Sequence, residues 1–222
     1  TEQILTATIT TRTPDDMRVF YSFTEEQNKA LDELLENSDM LAALAGDLTI
    51  SDATAKKLLA DLPADLDPER RAVVETACRL VGKVNYFWGG KSLVIGWDSR
   101  WGQLTKVWAD GSSTTGTYLP YGLDCSGFVD WVFYNVTNGE YVIGHGGGAH
   151  MQHTYCTPIS WNEAQPGDLV FFSSNGYSVT HVGIYIGDGN FVHASTSTTG
   201  VITSSLNSSY YTRVWFGAKR IV

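Results

Sequence analysis

The 222-residue sequence has no lysine or arginine between residues 107 and 212, and this absence argues against a basic surface for nucleic acid or anionic membranes. Over the whole chain, 15 basic and 24 acidic residues give a formal net charge of −9. The stretch at residues 107–212, which contains carboxylates but no basic residue, is hereafter called the acidic stretch. It is either a solvated surface or a site that suits a ligand bearing amino groups. Its carboxylates are Asp110, Asp124, Asp130, Glu140, Glu163, Asp168 and Asp188.

The sequence also lacks the run of about 18 to 20 apolar residues that a membrane-spanning helix needs. Its longest candidate, residues 127–136, is interrupted by Asp130, so we expect no membrane insertion by this segment. Only three cysteines are present, Cys78, Cys125 and Cys156, which allow at most one internal disulfide. We expect no disulfide and a monomeric chain.

Two regions of different composition divide the chain. Residues 1–66 are rich in Leu, Ala, Asp, Glu and Thr, whereas the remainder is rich in Gly, Ser, Tyr and Trp. The first region is predicted to hold a short strand at residues 6–11 and helices at residues 25–36 and 52–62. We therefore expect a small, mostly helical N-terminal subdomain followed by one larger domain at residues 67–222.

The larger domain is predicted to be α+β. One helix begins at Asp67-Pro68, and another covers residues 124–135, where Phe128, Val129, Val132 and Phe133 form an apolar stripe. Short β-rich runs separated by glycine and asparagine turn signals follow, which favours an antiparallel sheet. These runs lie at residues 168–172, 181–186, 191–194 and 213–218.

Cys125 is the candidate nucleophile. It opens the helix at residues 124–135, where backbone amides and the helix dipole favour the thiolate. The small neighbours Ser126 and Gly127 keep its surroundings open to a substrate. We therefore expect an ionised sulfur at this helix start.

A thiol nucleophile needs a base, and His181 and His193 are the candidates because they lie in two neighbouring β-rich runs, whose strand parity constrains the hairpin between them. A two-residue loop between their strands would place the two imidazoles on opposite faces of the sheet. A three-residue loop at residues 187–189 pairs His193 with Gly183 and places both rings on one face. We therefore predict a bulged three-residue loop.

Three further histidines, His145, His150 and His153, surround a run of three glycines. A metal site needs its ligands on rigid elements, which this run does not supply. We expect a flexible loop near the entrance of the site, and no metal.

Five sequence blocks resemble those of the NlpC/P60 cysteine peptidases, relatives of the papain-like fold. The first is Tyr86-Phe-Trp88-Gly-Gly, which is similar to the Tyr-x-Trp-Gly-Gly motif of the family. The other four are Asp-Cys-Ser-Gly-Phe-Val at residues 124–129, Pro-Gly-Asp-Leu-Val-Phe-Phe at 166–172, His-Val-Gly-Ile-Tyr-Ile-Gly at 181–187 and Val-His-Ala at 192–194. The resemblance runs from about residue 67 to the end of the chain.

The resemblance implies that Cys125 is the nucleophile, His181 the base and later acid, and His193 the residue that orients His181. It also implies that Tyr86 lies near the nucleophile and helps to bind the oxyanion. Such enzymes hydrolyse bacterial peptidoglycan stem peptides, often between γ-D-glutamate and the following diamino acid, and need no cofactor. We accordingly expect a secreted or wall-associated location outside the bacterial membrane; the chain begins at Thr1 without methionine, although the sequence shows no signal or anchor.

The resemblance also suggests substrate-binding residues. Asp124 and Ser126 occupy positions where some members contact a substrate amine, although Asp124 could instead cap the helix. Trp88 is expected to contact substrate as well. The alternatives to hydrolysis are a catalytically silent wall-peptide-binding domain and an amidase or acyltransferase on another substrate.

Residues 91–121 form an insertion that is longer than the family usually has at this point. The insertion contains Trp97, Trp101 and Trp108. These side chains either pack locally within the insertion or stack on substrate. We expect the insertion to lie beside the site and to affect which substrates enter it.

Overall fold

The computed structural model describes residues 13–36, 48–140, 143 and 146–221. The chain divides into two units, Thr1–Asp47 and Leu48–Val222. Residues 48–66 thus lie in the same unit as the large domain, ahead of the boundary expected near residue 66. The strand expected at residues 6–11 lies outside the described residues.

The described part of the first unit is a pair of helices, α1 at Pro14–Phe20 and α2 at Glu25–Glu36. The Thr24 hydroxyl accepts the Gln27 amide and the Gln27 side chain accepts the Thr24 amide, which is a capping box at the start of α2. The helix predicted at residues 25–36 is therefore confirmed.

Two more helices open the second unit. Helix α3 covers Ala53–Ala60 with Asp52 as its N-cap, and α4 covers Pro68–Cys78 with Asp67 as its N-cap. Both helices were predicted, although α3 ends two residues earlier than expected. Their apolar faces, including Ala55 and Val74, are fully buried in the main core.

The insertion adds short strands ahead of the site. Strand β1 at Asn85–Tyr86 runs parallel to β4 at Gly122–Leu123, and between them β2 at Leu104–Lys106 and β3 at Tyr118–Pro120 form an antiparallel hairpin. The insertion is therefore ordered, and its two ends are joined through the β1–β4 pair.

A six-stranded antiparallel sheet forms the centre of the second unit, in the order β5-β10-β6-β7-β8-β9. The four predicted strands are present, and β5 and β9 were not predicted. The strands are β5 Thr157–Ile159, β6 Leu169–Phe172, β7 His181–Gly187, β8 Asn190–Ala194, β9 Val201–Ser205 and β10 Trp215–Arg220. Since helices pack beside this sheet, the predicted α+β fold is confirmed.

Helix α5 at Cys125–Val136 packs against β7, β8 and α4 and carries Cys125 at its first position. Its side chains Phe128, Val129 and Val132 are fully buried, as the apolar stripe predicted. Two helices absent from the sequence analysis complete the unit, α6 at Ala149–Tyr155 and α7 at Ser209–Val214. In the described portion, none of the helices has the length and apolarity required to cross a bilayer.

Candidate active site

Cys125 is held at the start of α5 by close backbone packing. The Asp124 side chain caps the helix by accepting the Gly127 amide at 2.6 Å, and the Asp124 amide donates to the Gly90 carbonyl at 3.1 Å. A Cβ at Gly127 would lie 2.1 Å from the Gly90 oxygen, so only glycine allows this approach. The two motifs that carry Trp-Gly-Gly and Asp-Cys-Ser-Gly therefore touch directly.

The environment of the Cys125 sulfur is buried rather than open. Burial raises the pKa of the Cys125 thiol to about 12, and the Asp124 carboxylate acts in the same direction. The amides of Val182 and Ser126 hydrogen-bond the sulfur and lower its pKa, as does the Lys91 ammonium. The expectation of a resting thiolate was wrong, because desolvation outweighs the favourable amides at the helix start.

His181 and His193 lie side by side, as the parity argument required. His181 Nε2 is 2.7 Å from His193 Nδ1, and the two rings are nearly perpendicular with centroids 4.9 Å apart. The Val182 amide, one residue after His181, donates to the Cys125 sulfur. The backbone of the residue that follows His181 therefore contacts the thiol, and helix α5 packs against the strand that carries His181.

The β7–β8 hairpin that brings the two rings together has a different loop from the one predicted. Gly187 pairs with Asn190, so the loop is a two-residue turn with positive φ at Asp188 and Gly189, and the predicted three-residue loop was wrong. A bulge between Tyr185 and Gly187 supplies the extra residue and restores the register in which Tyr185 pairs with Phe191. The bulge, rather than the loop, brings both histidines to one face.

Gly183 lies opposite His193 in this register. A Cβ at Gly183 would lie 2.6 Å from the Phe191 ring and 3.1 Å from the His193 Cβ. The absence of a side chain at this position leaves room for the imidazole in the sheet.

The histidine pair is surrounded by aromatic side chains. The Phe191 ring stacks on His193 at 4.6 Å, and Phe172 lies 5.9 Å from His181. Burial lowers the pKa of His181 to about 4, and burial together with the neighbouring His181 lowers the pKa of His193 well below its ordinary value. Both imidazoles are therefore neutral at neutral pH, each with one donor and one acceptor nitrogen.

Tyr86 lies beside the nucleophile, as the motif implied. It pairs with Leu123 in the β1–β4 ladder, two residues ahead of Cys125. Burial raises the pKa of Tyr86 well above its ordinary value, and the adjacent Cys125 and Asp124 add to this effect. The phenol therefore keeps its proton and is available as a hydrogen-bond donor.

Lys91 is a site residue that the sequence analysis missed. Its ammonium donates to Ser126 Oγ at 2.6 Å and lies 3.3 Å from Asp124 Oδ1 and 3.4 Å from Asp130 Oδ2. It also donates to the Gly147 carbonyl at 3.3 Å. The basic residue follows the Trp-Gly-Gly motif directly, and that adjacency is the signal that could have identified it.

The contacts of Lys91 change the interpretation of the acidic stretch. Asp124, Asp130 and Asp168 are buried, and each pairs with a cation from outside the stretch. Asp168 binds Arg70 at 2.9 Å and Arg220 at 2.8 Å. These three carboxylates are neither a solvated surface nor an open anionic site.

The predicted substrate contacts of this region are occupied within the chain. Asp124 is the helix cap, and its Oδ1 accepts the Ser126 hydroxyl at 2.8 Å. Contact of Asp124 or Ser126 with a substrate amine stays a prediction, since the Lys91 ammonium already lies against both side chains. The Trp88 indole donates to the Asp110 carbonyl of the insertion at 2.9 Å, and contact of Trp88 with substrate likewise stays a prediction.

The remaining histidines lie apart from the pair. His150 and His153 are on helix α6, so the loop expected there was wrong, and His145 lies outside the described residues. The His153 ring packs edge-on against Phe171 at 5.0 Å. Among the described residues, no group of three or more His, Cys, Asp and Glu side chains is placed to hold a metal ion.

Two of the three tryptophans of the insertion pack locally, and stacking of Trp108 on substrate stays a prediction. Trp97 packs edge-on against Trp101 at 4.9 Å, and Trp101 packs against Trp131 of α5 at 5.5 Å. Local packing is therefore confirmed for Trp97 and Trp101. Trp108 is 74% exposed and has the Lys106 ammonium over its ring at 4.4 Å.

A cavity of about 300 Å³ opens beside His181. Its walls come from β6, β7 and α7 and from the loop after β8, and they combine aromatic rings with hydroxyl groups. The lining residues are Phe172, Ser174, Thr180, His181, Ser195, Thr196, Tyr210, Tyr211 and Val214.

All three cysteines, including Cys125, are buried and free.

Comparison with known proteins identifies relatives of this chain. The murein DD-endopeptidase MepS/murein LD-carboxypeptidase of Escherichia coli K12 is 33% identical over 161 residues, which cover 71% of this chain and 80% of that protein. The probable peptidoglycan endopeptidase LytE of Bacillus subtilis 168 is 34% identical over 125 residues, which cover 53% of this chain and 34% of LytE.

A solved structure of a NlpC/P60 family protein from Bacillus cereus matches this chain with a TM-score of 0.50 and 26% identity. The match covers 73% of this chain and 42% of that chain. The sequence model of the NlpC/P60 family matches residues 82–220, which contain all the motifs that meet at the Cys125 site. The chain therefore belongs to the NlpC/P60 family.

Proposed function

We propose that this chain is a cysteine-dependent peptidoglycan hydrolase that acts outside the bacterial membrane on stem peptides. The bond it cleaves in this proposal is the one between γ-D-glutamate and the following diamino acid. The observation that carries the proposal is the hydrogen-bonded pair of His181 and His193, 2.7 Å apart, next to the strand residue whose amide contacts Cys125. The relatives named as peptidoglycan and murein endopeptidases support it.

The first step is attack of the Cys125 sulfur on the substrate amide carbon. Because the thiol and His181 are both neutral at rest, the thiol proton moves to His181 as the carbon–sulfur bond forms. His181 Nε2 faces His193, so Nδ1 is the nitrogen that takes this proton. His193 then stabilises the resulting imidazolium through the hydrogen bond at Nε2.

The tetrahedral intermediate carries a negative charge on the former carbonyl oxygen. The Cys125 amide is one of the first helical N–H groups, which have no intrahelical acceptor, and the protonated Tyr86 hydroxyl is a second donor. As the carbon–nitrogen bond breaks, His181 gives its proton to the leaving amine and a thioester remains. Water then attacks the thioester with His181 as base, which releases the acid and restores the thiol.

Digestion of purified muropeptides followed by mass spectrometry tests the proposal. We expect fragments cut after γ-D-glutamate. Conversion of cross-linked dimers to monomers would instead indicate a cut between two D-configured residues, as the name of the E. coli relative describes. Transfer products would indicate an acyltransferase, and stem-peptide binding without products would indicate a silent binding domain, which the burial of Cys125 would explain.

The nucleophile is tested by Cys125→Ala. We expect turnover to fall by at least about 10³-fold, because no other group can form the thioester. Cys156→Ala is the matched control, since Cys156 is also a buried free thiol but has no part in the mechanism. Both variants should unfold cooperatively at temperatures close to that of the parent. Retention of stem-peptide cleavage by Cys125→Ala would show that another residue is the nucleophile.

A further inference from the structure

A chain of hydrogen bonds continues beyond the two histidines. His193 is fully buried, and its Nε2 lies 3.0 Å from Ser204 Oγ and 3.3 Å from the Tyr211 hydroxyl. Ser204 is on β9, the edge strand that follows β8, and Tyr211 is on α7. Neither residue belongs to the motifs that identify the family.

The register of β8 and β9 explains how Ser204 reaches His193. His193 pairs with Ile202 and Phe191 pairs with Ser204, so the serine is the diagonal neighbour of the histidine on the same face of the sheet. The Tyr211 hydroxyl also hydrogen-bonds Ser204 and Ser195. These contacts hold two hydroxyl groups at the outer nitrogen of His193.

The proton positions in this chain are linked. His181 can accept the thiol proton at Nδ1 only when its own proton is on Nε2, and that proton is then donated to His193 Nδ1. His193 must consequently carry its proton on Nε2, which requires an acceptor at that nitrogen. Ser204 Oγ and the Tyr211 hydroxyl are placed to be that acceptor.

The surroundings make this acceptor necessary. The Phe191 ring covers His193 at 4.6 Å, and the Tyr211 ring meets it edge-on at 5.5 Å. A buried N–H group without an acceptor is unfavourable, so loss of both hydroxyls would move the His193 proton to Nδ1. His181 would then hold its proton on Nδ1 and could not accept another from Cys125.

We propose that Ser204 and Tyr211 are positioning residues that accept the His193 Nε2 proton and so keep His181 Nδ1 free to act as the base. The inference rests on the proposed function, because it assigns the base in that mechanism. Neither hydroxyl contacts the reacting atoms, and both act through His193.

The test compares Ser204→Ala, Tyr211→Phe and the double variant with the parent. We expect each single variant to lower kcat for muropeptide hydrolysis by about 3- to 10-fold, because one hydroxyl remains, and the double variant to lower it by about 10²-fold. KM should change much less than kcat, since neither hydroxyl contacts the reacting atoms. Ser204→Thr, which keeps a hydroxyl, should restore most of the activity in the Tyr211→Phe background relative to the double variant.

Histidine ¹⁵N NMR supplies a readout that a merely structural role would not move. In the parent, His193 should be protonated on Nε2 and His181 should have an unprotonated Nδ1, and the double variant should show the opposite tautomers. Thr203→Val is the matched control, because Thr203 is on the same strand and its hydroxyl, in the described residues, has no hydrogen-bond partner. This control should keep the parental kcat and tautomers.

Unchanged tautomers in the double variant would overturn the inference, as would an equal fall in kcat in Thr203→Val. The NMR measurement needs no turnover, so it separates this inference from the proposed function. A parent that cleaves no muropeptide but changes tautomer in the double variant would contradict the proposed function and support the hydrogen-bond relay. If the parent cleaves muropeptides and the double variant has the same kcat, the proposed function would be supported and the hydrogen-bond relay would be contradicted.

Discussion

The two halves of the candidate active site are built from different interactions. The cysteine half is surrounded by charge: Asp124, Asp130 and Lys91 meet at the start of the helix that carries Cys125. The histidine half has uncharged neighbours, with Phe172 and Phe191 against the imidazoles and hydroxyl groups at its outer end. The cysteine half is held by ion pairs together with close backbone packing at Gly90 and Gly127, and the histidine half is held by strand register and aromatic packing.

This difference determines how each half responds to change. Each member of an ion pair is held in place by the opposite charge. Loss of Lys91 would therefore leave the buried carboxylates of Asp124 and Asp130 without the cation that pairs with both. Strand register depends on backbone pairing and on the room available beside each side chain. The histidine half is therefore sensitive to volume, whereas the cysteine half is sensitive to charge as well as to the close approach of Gly127 to the Gly90 carbonyl.

Gly183→Ala tests the volume sensitivity of the histidine half and is expected to have the largest effect among the changes that compare the two halves. The new methyl group would meet the buried Phe191 ring at 2.6 Å and the His193 Cβ at 3.1 Å, so the Phe191 ring must move, and we expect the imidazole stacked on it to shift as well. We expect kcat to fall by about 10²-fold, because small displacements of catalytic groups have effects of this size. The free energy of unfolding should fall by about 1 to 3 kcal/mol, as overpacking predicts.

Gly148→Ala is the matched control for this prediction, because a Cβ at Gly148 has no neighbour within 4 Å. Chemical denaturation and muropeptide kinetics on both variants provide the measurements. Parental kcat and stability in Gly183→Ala would show that the sheet can relax around His193, and the histidine half would then not be limited by volume.

Lys91→Met tests the charge sensitivity of the cysteine half. Lys91 lowers the pKa of Cys125, so its removal should raise that pKa further and shift the pH dependence of thiol alkylation to higher pH. A shift of about one pKa unit would slow reaction with iodoacetamide at neutral pH by about tenfold. Alkylation rates measured from pH 6 to pH 10 give the result.

Lys91→Arg is the control, since it keeps the positive charge beside Asp124 and Asp130. Its alkylation profile should stay close to that of the parent. If Lys91→Met reacted as fast as the parent at every pH, the charge of Lys91 would have no influence on the sulfur. Its role would then be limited to its ion pairs with the two buried carboxylates and its contacts with Ser126 and Gly147.

The histidine half of the site could largely be predicted from the sequence, because strand parity is a local property. The alternation around His181 and His193 fixed which register places both rings on one face, and the structure has that register. The predicted loop length was wrong because a bulge at a buried strand residue requires no characteristic residue type. Turn residues such as Asp188 and Gly189, in contrast, can be recognised in the sequence.

The cysteine half could be predicted only in part. The helix start at Cys125 and its Asp124 cap follow from local signals, and both are present. The pairing of Lys91 with Asp130 joins residues 39 positions apart and depends on how the insertion folds back, which periodicity does not report. The protonated state of the thiol was missed for the same reason, because burial is a property of the assembled fold.

The smallest predicted effect concerns stability as a function of pH. The pKa of His181 is lowered in the folded protein from 6.5 to about 4, so between these values the unfolded chain binds more protons. Stability should therefore fall as the pH drops from about 6.5 to 5, by about 1 kcal/mol, since the partly solvent-accessible ring reduces the full linkage value. His193 acts in the same direction.

Denaturation midpoints at several pH values would measure this slope in the parent, in His181→Gln and in the exposed-site control His150→Gln. We expect His181→Gln to flatten the slope and His150→Gln to leave it unchanged. Asp168 contributes only in a lower range, because its pKa is lowered by Arg220 and Arg70 and its stabilisation is lost below the ordinary carboxyl pKa. If the pH dependence of stability were unchanged in His181→Gln, His181 would not resist protonation in the folded state. The histidine half could then not be described as uncharged in contrast to the cysteine half.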